Sequence, residues 1–255
     1  MLLNNKLYKV AVPETQYCFR PNIFMWPNCT LLFGPLQHLT FHSMGSVAIN
    51  VGLYHPFLIT TENGAHTPYR CAIIPAGYKH QLNANGNIVA CLIMEKNSNE
   101  FVNFKRHFSL HESSITSIAD VKWIECFQKI YQEKPSKIET KQLLNQLFSA
   151  DSMPNQSIDP RIDSIMQFIQ NNPDSNHSQE YLASSVGLSA SRFRHLFRQH
   201  SDIPFRRYRM WRRILSAMDT LHKVDNPTYA AMEAGFTDSS HFNRCFRDTF
   251  GVNPS

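Results

Sequence analysis

Seven polar residues near the carboxy terminus have side chains that can hydrogen-bond to the edges of DNA bases. They fall into two groups, which are Ser191, Arg194 and His195, and then Ser239, Ser240, Asn243 and Arg244. An Arg guanidinium can pair with O6 and N7 of guanine, and an Asn amide can pair with N6 and N7 of adenine. A solvated polar side chain is the alternative for any one of these residues taken alone. The prediction of base contacts therefore depends on the elements that carry the two groups.

Both groups lie in a segment that occurs twice in the chain. The first copy is Leu182–Ser189 followed by Phe193 and Phe197, and the second is Ala230–Thr237 followed by Phe242 and Phe246. The second copy has one extra residue at the start of its phenylalanine-bearing part. Each copy has the pattern of a short helix, a Gly turn and a second helix, which is the helix-turn-helix pattern of DNA-binding proteins. An ordinary helical hairpin is the alternative, but two matching copies favour DNA binding.

The residue types at the matching positions have physical reasons. Gly187 and Gly235 can adopt the positive φ that a helix C-terminus often requires. Ser189 and Thr237 are favourable N-caps for the helices that follow, and Asp238 in the first turn suits the helix dipole. Burial of the two phenylalanines in each copy then leaves the seven polar residues on or beside the outer helix face.

The segment Ser189–Arg213 is strongly basic, with eight Arg, one acid (Asp202) and no Lys, in a chain of formal net charge +5. Arg favours planar, bidentate contacts with phosphate and guanine. We predict phosphate contacts for Arg192, Arg198 and Arg247, which position a protein on DNA without recognising its sequence. A solvated helix face is the alternative interpretation of this charge.

A helix from roughly Phe205 to His222 is predicted to join the two copies. One side is apolar and the other is rich in Arg, whereas Arg207 is not assigned to either side. The apolar side is Tyr208, Trp211, Ile214, Leu215 and Met218, and the polar side is Arg206, Arg209, Arg212 and Arg213. About 18 residues at ~1.5 Å each give a rod of about 27 Å. Such a rod can hold two recognition helices near the ~34 Å groove repeat of DNA.

Residues 159–255 resemble the AraC/XylS family of bacterial transcription regulators. The resemblance rests on Ile203–Trp211, Ala234–Phe246 and Phe250–Ser255. It implies a DNA-binding domain with two helix-turn-helix motifs, in which the two groups of polar residues match the family's base-contacting positions. Asp202 stands where the family usually has Gly, but Asp tolerates the left-handed conformation better than most residues. Relatives usually continue beyond the position of Ser255 into a short helix, so we expect the last helix to be less well supported.

The rest of the chain predicts an α+β protein with several domains. Residues 1–112 have the pattern of a β-barrel or jelly roll, with short strands between Gly, Pro and Asn clusters. The strands are expected at Thr30–Phe33, Ser46–Leu53, Phe57–Thr60, Tyr69–Pro75 and Ile88–Met94. Residues 113–149 predict a helical pair that packs on the barrel or on a second subunit. Residues 150–158 read as a polar linker, and residues 159–255 form the all-α DNA-binding domain.

The amino-terminal segment also resembles the cupin-like sensor domain of the same family. His42-Ser43-Met44 and Ile74–His80 are similar to the two cupin half-motifs, but Met44 occupies the place of a second His. A metal cupin needs three or four converging His and carboxylate ligands, which His38, His55 and His66 do not supply by their spacing. We therefore expect no metal and no cofactor. His42 and His80 are candidates for the lining of a small-molecule effector pocket.

Three functions are compatible with these patterns. The first is a sequence-specific transcription regulator that is controlled by an effector or by dimer geometry, and the sequence does not distinguish an activator from a repressor. The second is a metal-dependent cupin enzyme with a regulatory DNA-binding tail, against which the incomplete half-motif argues. The third is a DNA-binding adaptor that is regulated only by partner proteins. We favour the first function and expect no enzymatic activity. The expected macromolecular partners are duplex DNA, a second copy of the chain in a homodimer, and RNA polymerase.

The cysteines and the apolar runs of the sequence indicate the cellular compartment. The six Cys are scattered without C-x-x-C or zinc spacing, and their mostly apolar neighbours predict buried, reduced thiols. The first residues lack the apolar core of a signal peptide, and no apolar run reaches 18 residues. We expect a cytoplasmic protein without a membrane span.

Overall fold

The computed structural model describes residues 23–34, 39–96, 98, 101, 104, 108, 114–148, 159–224 and 226–252. In chain order the strands are β1 (Ile23–Trp26), β2 (Cys29–Gly34), β3 (Val47–Gly52), β4 (Phe57–Thr61), β5 (His66–Tyr69), β6 (Cys71–Ile74), β7 (His80–Asn83), β8 (Val89–Met94) and β9 (Thr116–Ser117). The helices are α1 (Val121–Glu133), α2 (Lys137–Phe148), α3 (Pro160–Asn171), α4 (Gln179–Ser185), α5 (Ala190–Ser201), α6 (Phe205–Val224), α7 (Pro227–Glu233) and α8 (Ser239–Phe250).

The strands form two antiparallel sheets. The larger sheet has the order β1-β2-β8-β3-β6-β9 and the smaller has the order β5-β4-β7. Apolar residues of both sheets share a core that includes Phe57, Ile59, Ala72 and Leu82. This α+β architecture confirms the predicted fold class. The strand predicted at Tyr69–Pro75 is divided between the two sheets, because β5 ends at Tyr69 and β6 begins at Cys71.

The central strands of the larger sheet are buried on both faces, which explains their continuous apolar sequence. Side chains alternate between the two faces of a strand. On β8, Leu92 and Met94 pack in the core formed with helices α1 and α2, whereas Cys91 and Ile93 pack in the core formed with α6 and α8. The larger sheet therefore lies between the helical pair and the carboxy-terminal helices.

The helical pair packs on the larger sheet, which is one of the two arrangements that the sequence predicted. Trp123, Phe127 and Ile130 of α1 are buried, as are Leu144 and Phe148 of α2. Asp120 caps α1 and accepts a hydrogen bond from the backbone N–H of Lys122. Strand β9 follows residue 112, so β structure extends into the segment for which only helices were predicted. Linker residues 150–158 lie outside the described residues, and the domain boundaries stay a prediction.

The carboxy-terminal helices have two apolar centres. The first is built by α3, α4, α5 and the start of α6, with Phe193 and Phe197 fully buried. In the second, Phe242 and Phe246 pack with Trp211 and also with Ile93 of the sheet. The second helix-turn-helix motif thus shares its core with the amino-terminal domain.

Burial of the thiols agrees with the expectation for Cys71 and Cys91, which are both about 1% exposed. Burial raises the pKa of Cys91 to about 12 and raises that of Cys71 further. Cys126 and Cys245 are half-buried, and Cys18 lies outside the described residues. No helix among the described residues is both long enough and apolar enough to cross a membrane.

Candidate nucleic-acid interface and effector cavity

The first recognition helix, α5, exposes every residue predicted for DNA contact. Ser189 caps the helix by accepting a hydrogen bond from the backbone N–H of Arg192 at 3.2 Å. Phe193, Leu196 and Phe197 are buried against α3 and α6. The opposite face is exposed and carries Ser191, Arg192, Arg194, His195 and Arg198. The described part of the chain thus leaves this face accessible to solvent.

The second recognition helix, α8, is arranged in the same way. Phe242, Phe246 and Phe250 are buried. Ser239 is half-exposed, and the exposed residues are Ser240, Asn243, Arg244 and Arg247. The predicted N-cap is wrong by one position, because the cap is Asp238 and not Thr237. The Asp238 carboxylate accepts from the backbone N–H of His241 at 2.7 Å, and the Thr237 hydroxyl donates to Asp238 at 3.1 Å.

The turns of the two motifs have matching left-handed residues. Gly187 has φ of 68° and Gly235 has φ of 81° before the recognition helices. After these helices, Asp202 has φ of 65° and Gly251 has φ of 75°. The expectation that Asp202 adopts the left-handed conformation is confirmed. The Asp202 carboxylate also pairs with Lys96 of the amino-terminal domain.

Helix α6 uses most of its arginines for contacts within the chain, which corrects the prediction of an exposed polar side. Arg212 and Arg213 are each 8% exposed. Arg213 donates to the backbone carbonyl of Pro173 at 3.1 Å, and its second nitrogen lies 3.3 Å from the carbonyls of Asp174 and Ser175. Of the four arginines placed on that side, Arg206 is exposed, Arg209 is partly buried, and Arg212 and Arg213 are buried. The sequence could not show that these charges have internal acceptors.

The two arginines of α6 that are half-buried bind carbonyls on different domains. Arg209 donates to the His177 carbonyl at 2.9 Å, which ties α6 to the segment before α4. Arg207, which the helical pattern left unassigned, donates to the Ser43 carbonyl at 3.0 Å. The exposed basic surface is therefore smaller than the sequence indicates.

Glu95 is a buried acid beside helix α6 that the sequence analysis did not single out. It directly follows β8 and is 2% exposed. Its carboxylate accepts from the Tyr208 hydroxyl at 2.9 Å, from Trp211 Nε1 at 3.3 Å and from Arg212 Nη1 at 2.5 Å. Burial, and then the Glu95 charge, raise the pKa of Tyr208 well above its usual range. The sequence does show a single acid directly after an apolar strand, and a helix that carries aromatic and basic residues. These two features could have indicated a buried acid with partners on that helix.

A small cavity lies where the two sheets meet the carboxy-terminal helices. Its volume is about 30 Å³. The amino-terminal domain contributes three polar side chains to its lining, those of His42, Asn50 and His80. The carboxy-terminal domain contributes apolar side chains, which are those of Met218, Phe246, Phe250 and Val252. The cavity therefore touches α6, α8 and both sheets.

The two histidines that the sequence singled out are brought together. Their backbones form a bridge, with His42 N–H to His80 O at 2.9 Å and the reverse bond at 3.0 Å. The ring centroids are 4.3 Å apart. Nδ1 of His42 lies 2.8 Å from the Thr40 carbonyl, and Nδ1 of His80 lies 3.0 Å from the Tyr78 carbonyl. Because a carbonyl only accepts, each Nδ1 carries the hydrogen and each neutral Nε2 has a lone pair.

Both rings are uncharged near neutral pH. Burial and then the neighbouring His80 lower the pKa of His42 to about 3. Burial also lowers the pKa of His80. The Nε2 atoms of both rings and Nδ2 of Asn50 are buried, and none of the three has a hydrogen-bond partner among the described residues. Buried polar atoms are rarely left unpaired in proteins, so the three nitrogens together indicate a site for a bound group.

Within the described part of the chain, no group of three or more His, Cys, Asp and Glu is arranged to hold a metal ion. His55 and His66 are exposed and do not join the cavity. His38 lies outside the described residues.

Comparison with known proteins matches the carboxy-terminal residues to a family. A family model described as a helix-turn-helix domain matches residues 182–255. The transcriptional activator RhaS of Escherichia fergusonii is 29% identical over 100 residues, which cover 39% of this chain and 36% of RhaS. The arabinose operon regulatory protein of Escherichia coli is 31% identical over 115 residues, which cover 44% of this chain and 39% of that protein. The alignments thus span about two fifths of these relatives.

Solved structures match nearly the whole chain in fold. The apo form of a ToxT variant from Vibrio cholerae has a TM-score of 0.64 at 12% identity, covering 89% of this chain and 95% of ToxT. Wild-type ToxT with a bound unsaturated fatty acid has a TM-score of 0.56 at 14% identity, covering 93% and 95%. The fold over most of this chain is therefore one found in solved structures. Residues 182–255 thus match a helix-turn-helix domain, and the relatives that match this part of the chain are transcription regulators.

Proposed function

We propose that this protein is a sequence-specific DNA-binding transcription regulator, controlled by a small-molecule effector in the cavity between its two domains. The observation that carries the proposal is the exposure of polar and Arg side chains on one face of both recognition helices, while the phenylalanines of each helix are buried. Recognition helices of this kind enter the major groove with their early turns on base edges.

The base contacts are assigned by residue type. Arg194 and Arg244 pair with guanine, and Asn243 pairs with adenine. Ser191, His195, Ser239 and Ser240 supply further hydrogen bonds to base edges. Arg192, Arg198 and Arg247 contact phosphates. All of these side chains are exposed except that of Ser239, which is partly exposed.

Effector control is supported by the position of the cavity. It is lined by His42 and His80 from one domain and by Met218 and Phe246 from the other, so an occupant contacts both. A ligand shifts a conformational equilibrium only when it binds one state better than another. An occupant that bridges the domains favours the arrangement in which they are packed together. The likeness in fold to ToxT, which has been solved with a fatty acid bound, is consistent with a ligand-responsive protein.

The proposal also includes a homodimer and a contact with RNA polymerase. Helix α2 exposes Ile138 to 73% and helix α1 exposes Val121 to 56%. These apolar side chains lie on the helical pair, away from both recognition helices. We expect this surface to take part in a homodimer, which light scattering at increasing protein concentration measures directly.

The test is selection of bound sequences from random duplex DNA with the full chain. The expected result is an enriched motif with two parts about 10–10.5 base pairs apart, one for each recognition helix. The variant that combines Arg194→Ala with Arg244→Ala should lose the motif. Lys223→Ala, which removes an exposed charge of α6 that pairs with Asp219, serves as the matched control and should keep it. Failure of the wild-type chain to enrich any sequence would contradict the proposal.

A further inference from the structure

We propose that the cavity between the two domains binds a compact, uncharged and largely apolar molecule that carries a hydroxyl group, and that it excludes carboxylates. The inference names the ligand class of the effector site and so rests on the proposed function. It depends on three properties of the cavity, which are its hydrogen-bonding pattern, its lack of positive charge and its size.

The hydrogen-bonding pattern requires a group that both donates and accepts. His42 and His80 use their Nδ1–H groups on the carbonyls of Thr40 and Tyr78. Only lone pairs therefore remain at the two Nε2 atoms. Asn50 supplies the complementary donor, because its Nδ2 is buried and no described residue accepts from it. A hydroxyl donates one hydrogen bond and accepts two, whereas a ketone or ether oxygen only accepts.

The charge of the cavity argues against an anion. None of the described residues that line it is Lys, Arg, Asp or Glu. The titratable lining groups are His42, His80 and Cys91, and burial favours the neutral form of each of them. A carboxylate would place its oxygens against the two imidazole lone pairs and would lose its hydration without gaining a cation. A hydroxyl avoids both costs.

The size of the cavity limits the rest of the ligand. A volume of about 30 Å³ exceeds the ~10–15 Å³ that one water molecule needs by this kind of measure. The apolar part of the lining includes Met44 and Met218, whose unbranched side chains can repack around a small hydrocarbon. Phe246 and Phe250 complete this apolar side. A short-chain or similarly compact alcohol therefore fits once these flexible side chains repack around its hydrocarbon part.

The test compares three small probes of similar length, which are 2-butanol, 2-butanone and butyrate. Binding to the full chain is measured by ligand-observed NMR and by the ring ¹⁵N shifts of the histidines. The expected result is that 2-butanol binds at least tenfold more tightly than the ketone or the carboxylate, and that it moves the Nε2 resonances of His42 and His80. Equal or tighter binding of butyrate or of 2-butanone overturns the proposal, as does the absence of binding by 2-butanol.

Two variants test the proposed contacts directly. In His42→Asn and in His80→Asn, the Asn amide can keep the hydrogen bond that Nδ1–H makes to the backbone carbonyl, but the lone pair at Nε2 is lost. Each variant should lose at least tenfold in affinity for 2-butanol while its circular dichroism spectrum is unchanged. Unchanged affinity in both folded variants overturns the assignment, and the probe comparison on the wild-type chain decides the matter if a variant does not fold.

Binding to the selected DNA is measured on the same protein preparation, which separates the two proposals. A chain that binds DNA sequence-specifically but binds no alcohol contradicts only the ligand class. A chain that binds 2-butanol but selects no DNA sequence contradicts the proposed function instead.

Discussion

Arginine has two roles in the carboxy-terminal domain, and burial separates them. Arg194 on α5 and Arg244 on α8 are exposed and have charge available for DNA. Arg212 and Arg213 on α6 are buried and donate to acceptors within the chain. Composition alone treats all of these residues alike, because a run of Arg has the same charge in either role. Only the packing of α6 on the sheet shows which of them can reach a nucleic acid.

Truncating the two exposed arginines should relax sequence preference. Arg194→Ala and Arg244→Ala should each cost about 1–3 kcal/mol on the selected site, because each loses a bidentate pair with guanine. Binding is measured across all single-base variants of that site, and preference should relax at one base pair for each substitution. Arg192→Ala is the matched control for a phosphate contact, and it should weaken all sites alike and reduce the salt dependence. Uniform losses for Arg194→Ala and Arg244→Ala would show that they too are phosphate contacts.

The buried histidines should make stability depend on pH. The pKa of His42 is lowered from 6.5 to about 3 and that of His80 is lowered as well, so the unfolded chain binds protons that the folded chain does not. Stability is therefore complete above about pH 6.5 and falls as the pH decreases below it. The slope approaches about 1.4 kcal/mol per pH unit for each fully titrating His.

The measurement is urea unfolding between pH 7 and pH 5, before most carboxylates titrate. The variant that combines His42→Asn with His80→Asn is the control, since it lacks both titrating groups. Its stability should fall less steeply than that of the wild-type chain. Parallel pH profiles for the two proteins would mean that His42 and His80 are protonated in the folded state.

The two glycine turns differ in their surroundings although their sequences match. Gly187 and Gly235 both have positive φ. A Cβ at Gly187 would meet no atom within 4 Å, whereas one at Gly235 would lie 2.9 Å from Asp174 Cα and 3.0 Å from its carbonyl oxygen. Gly187→Ala should therefore cost only the conformational penalty of about 1–2 kcal/mol. Gly235→Ala should cost more, because the backbone of Asp174 must move as well.

Urea unfolding of the two glycine variants checks this difference, and each variant acts as the control for the other. Equal losses of stability would show that the backbone near Asp174 yields without cost. The difference is not visible in the sequence, where the two turns are equivalent copies.

The helices and strands that could be predicted are those whose own residues show a sustained apolar pattern. Strands β2, β3 and β8 and helix α6 have sustained apolar patterns, and the structure gives them within two residues of the expected bounds. Strand β7 was missed because three of its four residues are polar, and strand β1 because its four apolar residues form a short run without alternation. At the site, His42 and His80 were predicted from motif resemblance. Asn50 and Glu95 were not, because their roles arise only from contacts between distant segments.

At the scale of the whole molecule, the two domains share a continuous apolar core. Gly45 marks its closest approach, because a Cβ there would lie 2.5 Å from Trp211 Cβ and 2.6 Å from its Cγ. Gly45→Ala should push α6 away from the sheet and weaken the interdomain contact. We expect a lower melting temperature and faster proteolysis of the segment between α2 and α3. Gly64→Ala is the control for a general effect of substituting glycine, because a Cβ at Gly64 would meet no described atom within 4 Å. The φ of 81° at Gly64 adds only local strain.

Unchanged protease sensitivity in Gly45→Ala, with a melting temperature no lower than that of Gly64→Ala, would contradict the close approach of Trp211. We expect a large loss of stability in Gly45→Ala because the side chain that faces Gly45 is that of Trp211. Trp211 is 2% exposed and is among the largest buried side chains, and it cannot move without disturbing the hydrogen bond to Glu95.

Glu95 carries the strongest polar connection between the domains, since one carboxylate binds three side chains of α6. Its ion pair with Arg212 is buried, with side-chain exposures of 3% and 9%. Removing one partner of a buried ion pair typically costs about 3–5 kcal/mol, because the other charge stays buried without compensation. Glu95→Gln keeps the size and one acceptor oxygen but removes the charge. We therefore expect a loss of unfolding free energy within that range.

The control for Glu95→Gln is Lys223→Ala, which breaks the exposed pair with Asp219 on the same helix and should cost less than about 1 kcal/mol. A second variant, Glu95→Gln with Arg212→Met, separates the cost of the buried charge from the loss of the contact itself. It should recover much of the stability, because no unpaired charge is left in the interface. If Glu95→Gln is as mild as Lys223→Ala, the Arg212 charge must be solvated, and the packing of α6 on β8 that joins the cavity to the recognition helices would be looser than the structure shows.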